Sequence, residues 1–250
     1  MRIKHIICFL ALIFPSVSFA DTIGVWLGGG VWDWSISGNL RYSPGGGTTT
    51  EADVKNDLHL TDDTSGFGYV AIEHPVPIIP NVRISATGIS STGTGNTTVQ
   101  FTYGNTTYNV NETLTTELTL DQTDVTLYYE ILDNVVGLDI GLNAKSIDGR
   151  ARISGTSGIE TNDIDAIIPM LYAAIDIPLP FGFSIGGNGA AVSYDGSSIS
   201  DFNAYVRYSS AFYLGAEVGY RSQEYKLDDI DGSYGNVKFS GPYAGLYLYF

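Results

Sequence analysis

The stretch Gly241-Pro-Tyr-Ala-Gly-Leu-Tyr-Leu-Tyr-Phe250 alternates residue by residue. Ala244, Leu246, Leu248 and Phe250 fall on one side of an extended chain, and Tyr243, Gly245, Tyr247 and Tyr249 on the other. In water, a strand with one wholly apolar side and an unpaired edge invites aggregation. In a bilayer every backbone N–H and C=O needs a partner, so strands cross only as closed barrels. The segment therefore predicts an all-β protein, a transmembrane antiparallel up-and-down barrel whose last strand pairs with its first.

The other end has the pattern of a secretory leader. Arg2 and Lys4 precede an apolar run from Ile6 to Phe14, and Ser18-Phe19-Ala20 supplies small residues before a cleavage point. Residues 1–20 are expected to be a signal peptide and residues 21–250 the barrel domain. The apolar run is too short to span a membrane comfortably as an anchor. Cys8, the only cysteine, leaves with the leader, so no disulfide, thiol nucleophile or lipid attachment site is expected in the mature chain.

Charge and composition narrow the class further. The chain carries 12 basic and 27 acidic residues, a formal charge of −15, and loses Arg2 and Lys4 with the leader, which argues against nucleic acid as a partner. Mean hydropathy is near neutral at +0.07, yet there are 17 Tyr, 11 Phe and 30 Gly. Barrel strands mask their apolar content in this way, alternating it with polar or small lumen-facing residues. A soluble β-sandwich also alternates. The terminal strand and the spacing of turns favour the barrel.

Ten strands are expected near 22–35, 66–75, 81–91, 118–132, 135–146, 166–177, 181–193, 199–209, 211–223 and 237–250, with eight or twelve as alternatives. Pro75-Val-Pro-Ile-Ile-Pro80, Asp133-Asn134, Pro178-Leu-Pro180 and Ser209-Ser210 read as short turns. Gly38 to Ser65, Thr92 to Glu117, Ile147 to Asp165 and Glu224 to Asn236 read as long polar loops, and only the connection at Asp195-Gly196 is brief on that side. Short periplasmic turns and long outer loops are the usual asymmetry, and an even strand count puts both termini in the periplasm. Asp53 to Leu60 could add a strand or a short helix to the first loop. Thr97 to Val110 is expected to form a hairpin projecting beyond the membrane, turning at Gly104-Asn105.

Four segments carry a resemblance. Ile72-Glu-His-Pro-Val-Pro-Ile-Ile-Pro-Asn81, Thr126-Leu-Tyr-Tyr-Glu-Ile-Leu-Asp-Asn134, Ile168-Pro-Met-Leu-Tyr172 and Gly241-Pro-Tyr-Ala-Gly-Leu-Tyr247 resemble a family of small uncharacterised proteobacterial outer-membrane β-barrel proteins. The resemblance implies location and fold, and no catalytic residue. The tail also resembles the C-terminal signal read by the barrel-assembly machinery, with Ala244, Leu246 and Phe250 at its usual positions and Leu248 where an aromatic is commoner. Periplasmic chaperones, the assembly machinery, outer-membrane lipids and lipopolysaccharide are the partners this implies, for a monomer without cofactors or metal.

Assigning strand faces sorts the mid-strand charges. With Val70, Ile72, Val82, Ile84, Leu127, Tyr129, Leu138, Ile140, Val206 and Val218 facing lipid, the lumen receives Glu73, Arg83, Glu130, Asp139, Lys145, Asp176, Arg207 and Glu217. An Arg or Lys at the lipid midplane would cost roughly 2–4 kcal/mol, so the sorting is a test of the register. The turn lengths place Glu73 opposite Arg83, a favourable pair, and Glu130 opposite Asp139, two carboxylates that need a cation or a shared proton. Arg83 and Arg207 are the cations expected beside them. These residues read as a salt-bridge network filling a narrow lumen, with an acidic constriction in a cation-preferring pore as the functional alternative.

An enzyme would need more. Outer-membrane lipid hydrolases require a histidine beside a serine, and an omptin-like protease requires Asp and His clustered at the barrel mouth. The mature chain has only His59, in a loop, and His74, at a short turn. Glu51, Asp53, Asp57, Asp62 and Asp63 crowd the first loop and Asp228, Asp229 and Asp231 the last, without calcium-loop spacing, so bridging of divalent cations to lipopolysaccharide is the most they offer. Trp26, Trp32 and Trp34 belong to the first strand, where Gly28-Gly29-Gly30 invites a bulge. The expectation is a non-enzymatic barrel of the bacterial outer membrane with a charged, largely filled lumen, structural or a very narrow passive channel. A lipid-modifying enzyme and a surface adhesin or phage receptor are the alternatives.

Overall fold

The computed structural model describes residues 23–42, 51–230 and 232–250. The expected leader and the loop around Gly46 lie outside them. The strands are β1 (Gly24–Tyr42), β2 (Ala52–Asp53), β3 (Asp63–Glu73), β4 (Asn81–Asn96), β5 (Phe101–Tyr103), β6 (Thr106–Tyr108), β7 (Thr113–Asp133), β8 (Gly137–Gly155), β9 (Gly158–Pro178), β10 (Phe183–Tyr194), β11 (Ser197–Ser209), β12 (Leu214–Ile230) and β13 (Ser233–Tyr249). Ten of them form one antiparallel sheet in the order β13-β12-β11-β10-β9-β8-β7-β4-β3-β1, and β13 pairs with β1 to close it. The fold is a transmembrane up-and-down β-barrel, as the alternation of the last strand requires.

Closure leaves no free edge. Trp26 lies opposite Tyr249 and Leu27 opposite Leu248, while Val25 and Phe250 exchange both backbone hydrogen bonds. Leu246, Leu248 and Phe250 face outward, and Tyr243 and Tyr247 are buried inside. Outward side chains on the neighbouring strands form an apolar belt, among them Ile84, Leu127, Tyr129, Ile140, Leu142, Leu171, Phe202 and Val218. Phe181, Phe212, Tyr213 and Phe250 are exposed at the short-turn end, where an aromatic girdle meets the headgroups.

The strands are longer than the sequence reading at the opposite end. β7 and β9 have 21 residues each and β8 has 19, against the roughly 9–11 needed to cross a bilayer. On β7 the reason is visible. Leu127, Tyr129 and Ile131 face out in the lower half, but Leu114, Leu118 and Leu120 face in above, with Thr115, Glu117, Thr119 and Asp121 outside. The apolar residues change sides near Gln122. Above that level the barrel has the arrangement of a soluble protein.

Two expected long loops are therefore β-hairpins. Ile147 to Asp165 belongs to β8 and β9, joined at Thr156-Ser157, and Glu224 to Asn236 mostly extends β12 and β13. The Asp195-Gly196 turn is tight, with φ of 46° and 84°, the left-handed pair of a two-residue hairpin. The described parts of the two true long connections fold inward. Segment 52–60 contributes Ala52, Val54, Leu58 and Leu60 to the interior. The β5–β6 hairpin turns at Gly104-Asn105 as expected, but it does not project: Phe101, Tyr103 and Tyr108 are buried in the same cluster.

Candidate functional site

The lumen is built in three levels, each positioned by inward residues of the same strands. Uppermost is an apolar core of Trp34, Ile36, Ile89, Leu118, Ile153 and Phe239, closed by the two inward-folded connections. The Trp34 ring meets Phe239 edge-on at 5.3 Å, and its Nε1 donates to Ser65 Oγ at 2.8 Å. The connections are tied down by carboxylates used as caps. Asp57 accepts from the N–H groups of Asp53 and Thr98, and Asp62 accepts from Ile36 N–H. Glu112 accepts from Asn109 N–H and from the N–H and hydroxyl of Ser157. Burial opposes ionisation of Glu112, but these donors outweigh it and hold its carboxyl down at about 2.

The middle level is a polar seal. Lys145 Nζ is fully buried and bonds Asp124 at 2.9 Å, Asp201 at 3.2 Å and Gln122 at 3.2 Å. Arg221 holds both oxygens of Asp201, at 3.1 and 2.8 Å, donates to Thr87 Oγ1 at 2.9 Å and stacks over Trp32. Gln122 and Gln223 exchange amide hydrogen bonds at 3.2 and 3.0 Å. Gln122 is on β7 and Gln223 on β12, which are five positions apart in the ten-strand ring and so face one another across its diameter. Two buried cations meet two buried carboxylates here, and the amides satisfy one another, as low-dielectric burial demands.

The lowest level holds the residues singled out in the sequence. Arg207 lies 3.1 Å from Glu217 and 3.8 Å from Asp176, within a sleeve of Trp26, Tyr205 and Tyr247 rings. Glu130 is opposite Asp139 in the β7–β8 register. Neither arginine bridges that pair: Glu130 instead accepts from Asn81 Nδ2 at 2.9 Å. The expected Glu73–Arg83 pair does not form. Asn81 Oδ1 accepts from His74 N–H and closes the turn one pair earlier, so Arg83 stands opposite Ala71. Glu73 accepts from Trp26 Nε1 at 3.1 Å and Tyr128 hydroxyl at 2.8 Å, and Arg83 lies over the Tyr69 ring at 4.1 Å.

Asp124, Asp201, Arg221, Gln122 and Gln223 were not singled out in the sequence. Arg221 has the parity of Glu217 on β12 and Asp201 that of Arg207 on β11, so their inward direction was readable. Their meeting across the lumen was not, because no local pattern encodes which strands face one another. The histidines have other duties. His59 Nε2 donates to Asn96 carbonyl, and His74 braces its own turn through Pro80 carbonyl and Val76 N–H.

Closed sheet, apolar belt and filled lumen define the class: an antiparallel transmembrane barrel with a plugged upper half. The chain matches no family model and no curated protein, so the family resemblance rests on the four segments quoted above. Among solved structures it is similar to the Pseudomonas putida toluene transporter TodX, at 11% identity and a TM-score of 0.27, covering 92% of this chain and 90% of that one. It is also similar to the Ralstonia pickettii toluene transporter TbuX (9%, 0.21, 91% and 89%) and to Salmonella typhi OmpF in complex with daunomycin (10%, 0.22, 90% and 97%). Scores this low carry no argument about activity.

Proposed function

We propose that this chain is a monomeric barrel of the bacterial outer membrane, non-enzymatic and structural, whose lumen is sealed against passive flow. The observation that carries the reading is the Gln122–Gln223 bridge across the barrel's diameter, flanked by Lys145, Asp124, Asp201 and Arg221 and covered by the Trp34 core. Residues 1–20 act as its secretory leader. The short turns lie in the periplasm, and the long strands rise from lipid into the lipopolysaccharide layer, where their polar outer faces belong. Ala244, Leu246, Leu248 and Phe250 serve as the assembly signal, delivered by periplasmic chaperones. A lipid-modifying enzyme finds no support at the histidines: among the described residues, His59 and His74 hydrogen-bond backbone groups and no serine hydroxyl.

Planar-bilayer recording tests the reading. The sealed barrel gives no steady openings at moderate voltage. Regular cation-selective openings would favour the second reading, a narrow channel gated by Glu73, Glu130 and Asp139 at the short-turn mouth.

A further inference from the structure

The lumen cations are matched to carboxylates with one exception. Lys145, Arg207 and Arg221 have acidic oxygens at 2.9, 3.1 and 2.8 Å respectively. Among the described residues, Arg83 makes no ion pair and donates no hydrogen bond, although the chain has more than twice as many acidic as basic residues. Its guanidinium is held instead against the face of Tyr69, which fixes the plane and leaves the donor fork free.

Arg83 lines a cavity of about 80 Å³ beneath the seal with Tyr172, Tyr243, Ser85 and Ala190, and the carboxylates on its wall, Asp124, Asp201 and Glu217, are already taken by Lys145, Arg221 and Arg207. The hydroxyls of Tyr172 and Tyr243 make no hydrogen bond among the described residues. A cavity of this size has room for about five to eight water-sized atoms. A pre-oriented guanidinium with hydroxyl donors around it is built for planar, bidentate capture of an anion. Glu73, Glu130 and Asp139 carry negative charge at the short-turn end of the same strands, and they repel a dianion more strongly than a monoanion or a zwitterion.

We propose that the lumen holds, on the short-turn side of the seal, a binding site for a small carboxylate anchored by Arg83. The site is a blind pocket, and its existence does not depend on whether the barrel conducts.

Calorimetric titration of the full barrel refolded in detergent tests this, with sodium acetate, glycine and inorganic phosphate as probes at constant chloride. Acetate or glycine should saturate one site, and phosphate should bind more weakly. Arg83→Gln should weaken acetate binding by about tenfold or more while the melting temperature stays within a few degrees, and Arg83→Lys should recover part of the loss. Ala190→Leu fills the same cavity with Arg83 intact and should also abolish binding, which keeps the test decisive if the first variant does not fold. Absence of saturable carboxylate binding, equal binding by Arg83→Gln, or tighter binding of phosphate would each overturn the proposal.

Discussion

The lower and upper halves of this barrel are built from the same strands with opposite solvents in view. Below Gln122, β7 turns Leu127 and Tyr129 outward and Asp124 and Thr126 inward. Above it, Leu114, Leu118 and Leu120 are inside and Thr119 and Glu117 outside. The lower half obeys the rule for a wall against hydrocarbon, and the upper half the rule for a domain in water. A ten-strand sheet tolerates both because side-chain direction depends only on parity, so which parity is apolar can change along one strand without a bulge.

The largest effect expected is at the boundary between the halves. Asp201→Ala would leave Lys145 and Arg221 short of their shared carboxylate in the barrel interior, and loss of one partner in such a buried cluster costs about 3–5 kcal/mol. Unfolding of the variant in lipid vesicles by urea measures it. A loss below about 1 kcal/mol would mean that water reaches the seal and that the two halves communicate.

The comparison itself is sharpened by placing one charge on the outside of one strand at two heights. Leu127→Arg should cost roughly 2–4 kcal/mol in lipid, whereas Thr119→Arg, eight residues away on the same face, should stay within about 0.5 kcal/mol. Equal costs would place both residues in the same solvent and remove the boundary. The smallest effect is confined to the upper half. Because the Glu112 carboxyl is held down at about 2, below the ordinary 4.5, its clamp on Ser157 is fully present above pH 4.5 and is lost as pH falls toward 2. Protease sensitivity of the segment 97–112 should rise over that window, and Glu112→Gln should remove the pH dependence.

Legibility in the sequence follows the same division. In the lower half the parity of Val70, Ile84, Leu138 and Val218 marks lipid-facing positions, and the inward direction of Arg207, Glu217 and Asp139 follows from it. The upper ends of the strands, such as Thr113 to Glu117 of β7, read as loop from the sequence because the apolar residues there lie on the other parity, which breaks any pattern extrapolated from below. The inward fold of the connections was also hidden. Leu58, Leu60 and Phe101 are scattered among polar residues, and only the Trp32–Trp34 interior of β1 explains why they are buried. The Glu73–Arg83 pairing expected from the sequence is off by two residues because Asn81 caps the turn, a contact that no local pattern announces.

The seal has a consequence for the order in which the barrel is made. Asp124 and Lys145 are direct cross-strand neighbours within the β7–β8 hairpin. Asp201 and Arg221 likewise belong to the adjacent strands β11 and β12 and bond each other there. Each hairpin thus enters the bilayer carrying its own counter-charge, and no bare ion need be exposed to acyl chains while the sheet is still open. The contacts that join the two hairpins, Lys145 to Asp201 and Gln122 to Gln223, span the barrel and form when the wall curls round on itself. Four ionic groups that look like a single cluster in the finished molecule are also two neutral pairs, each complete within its own hairpin.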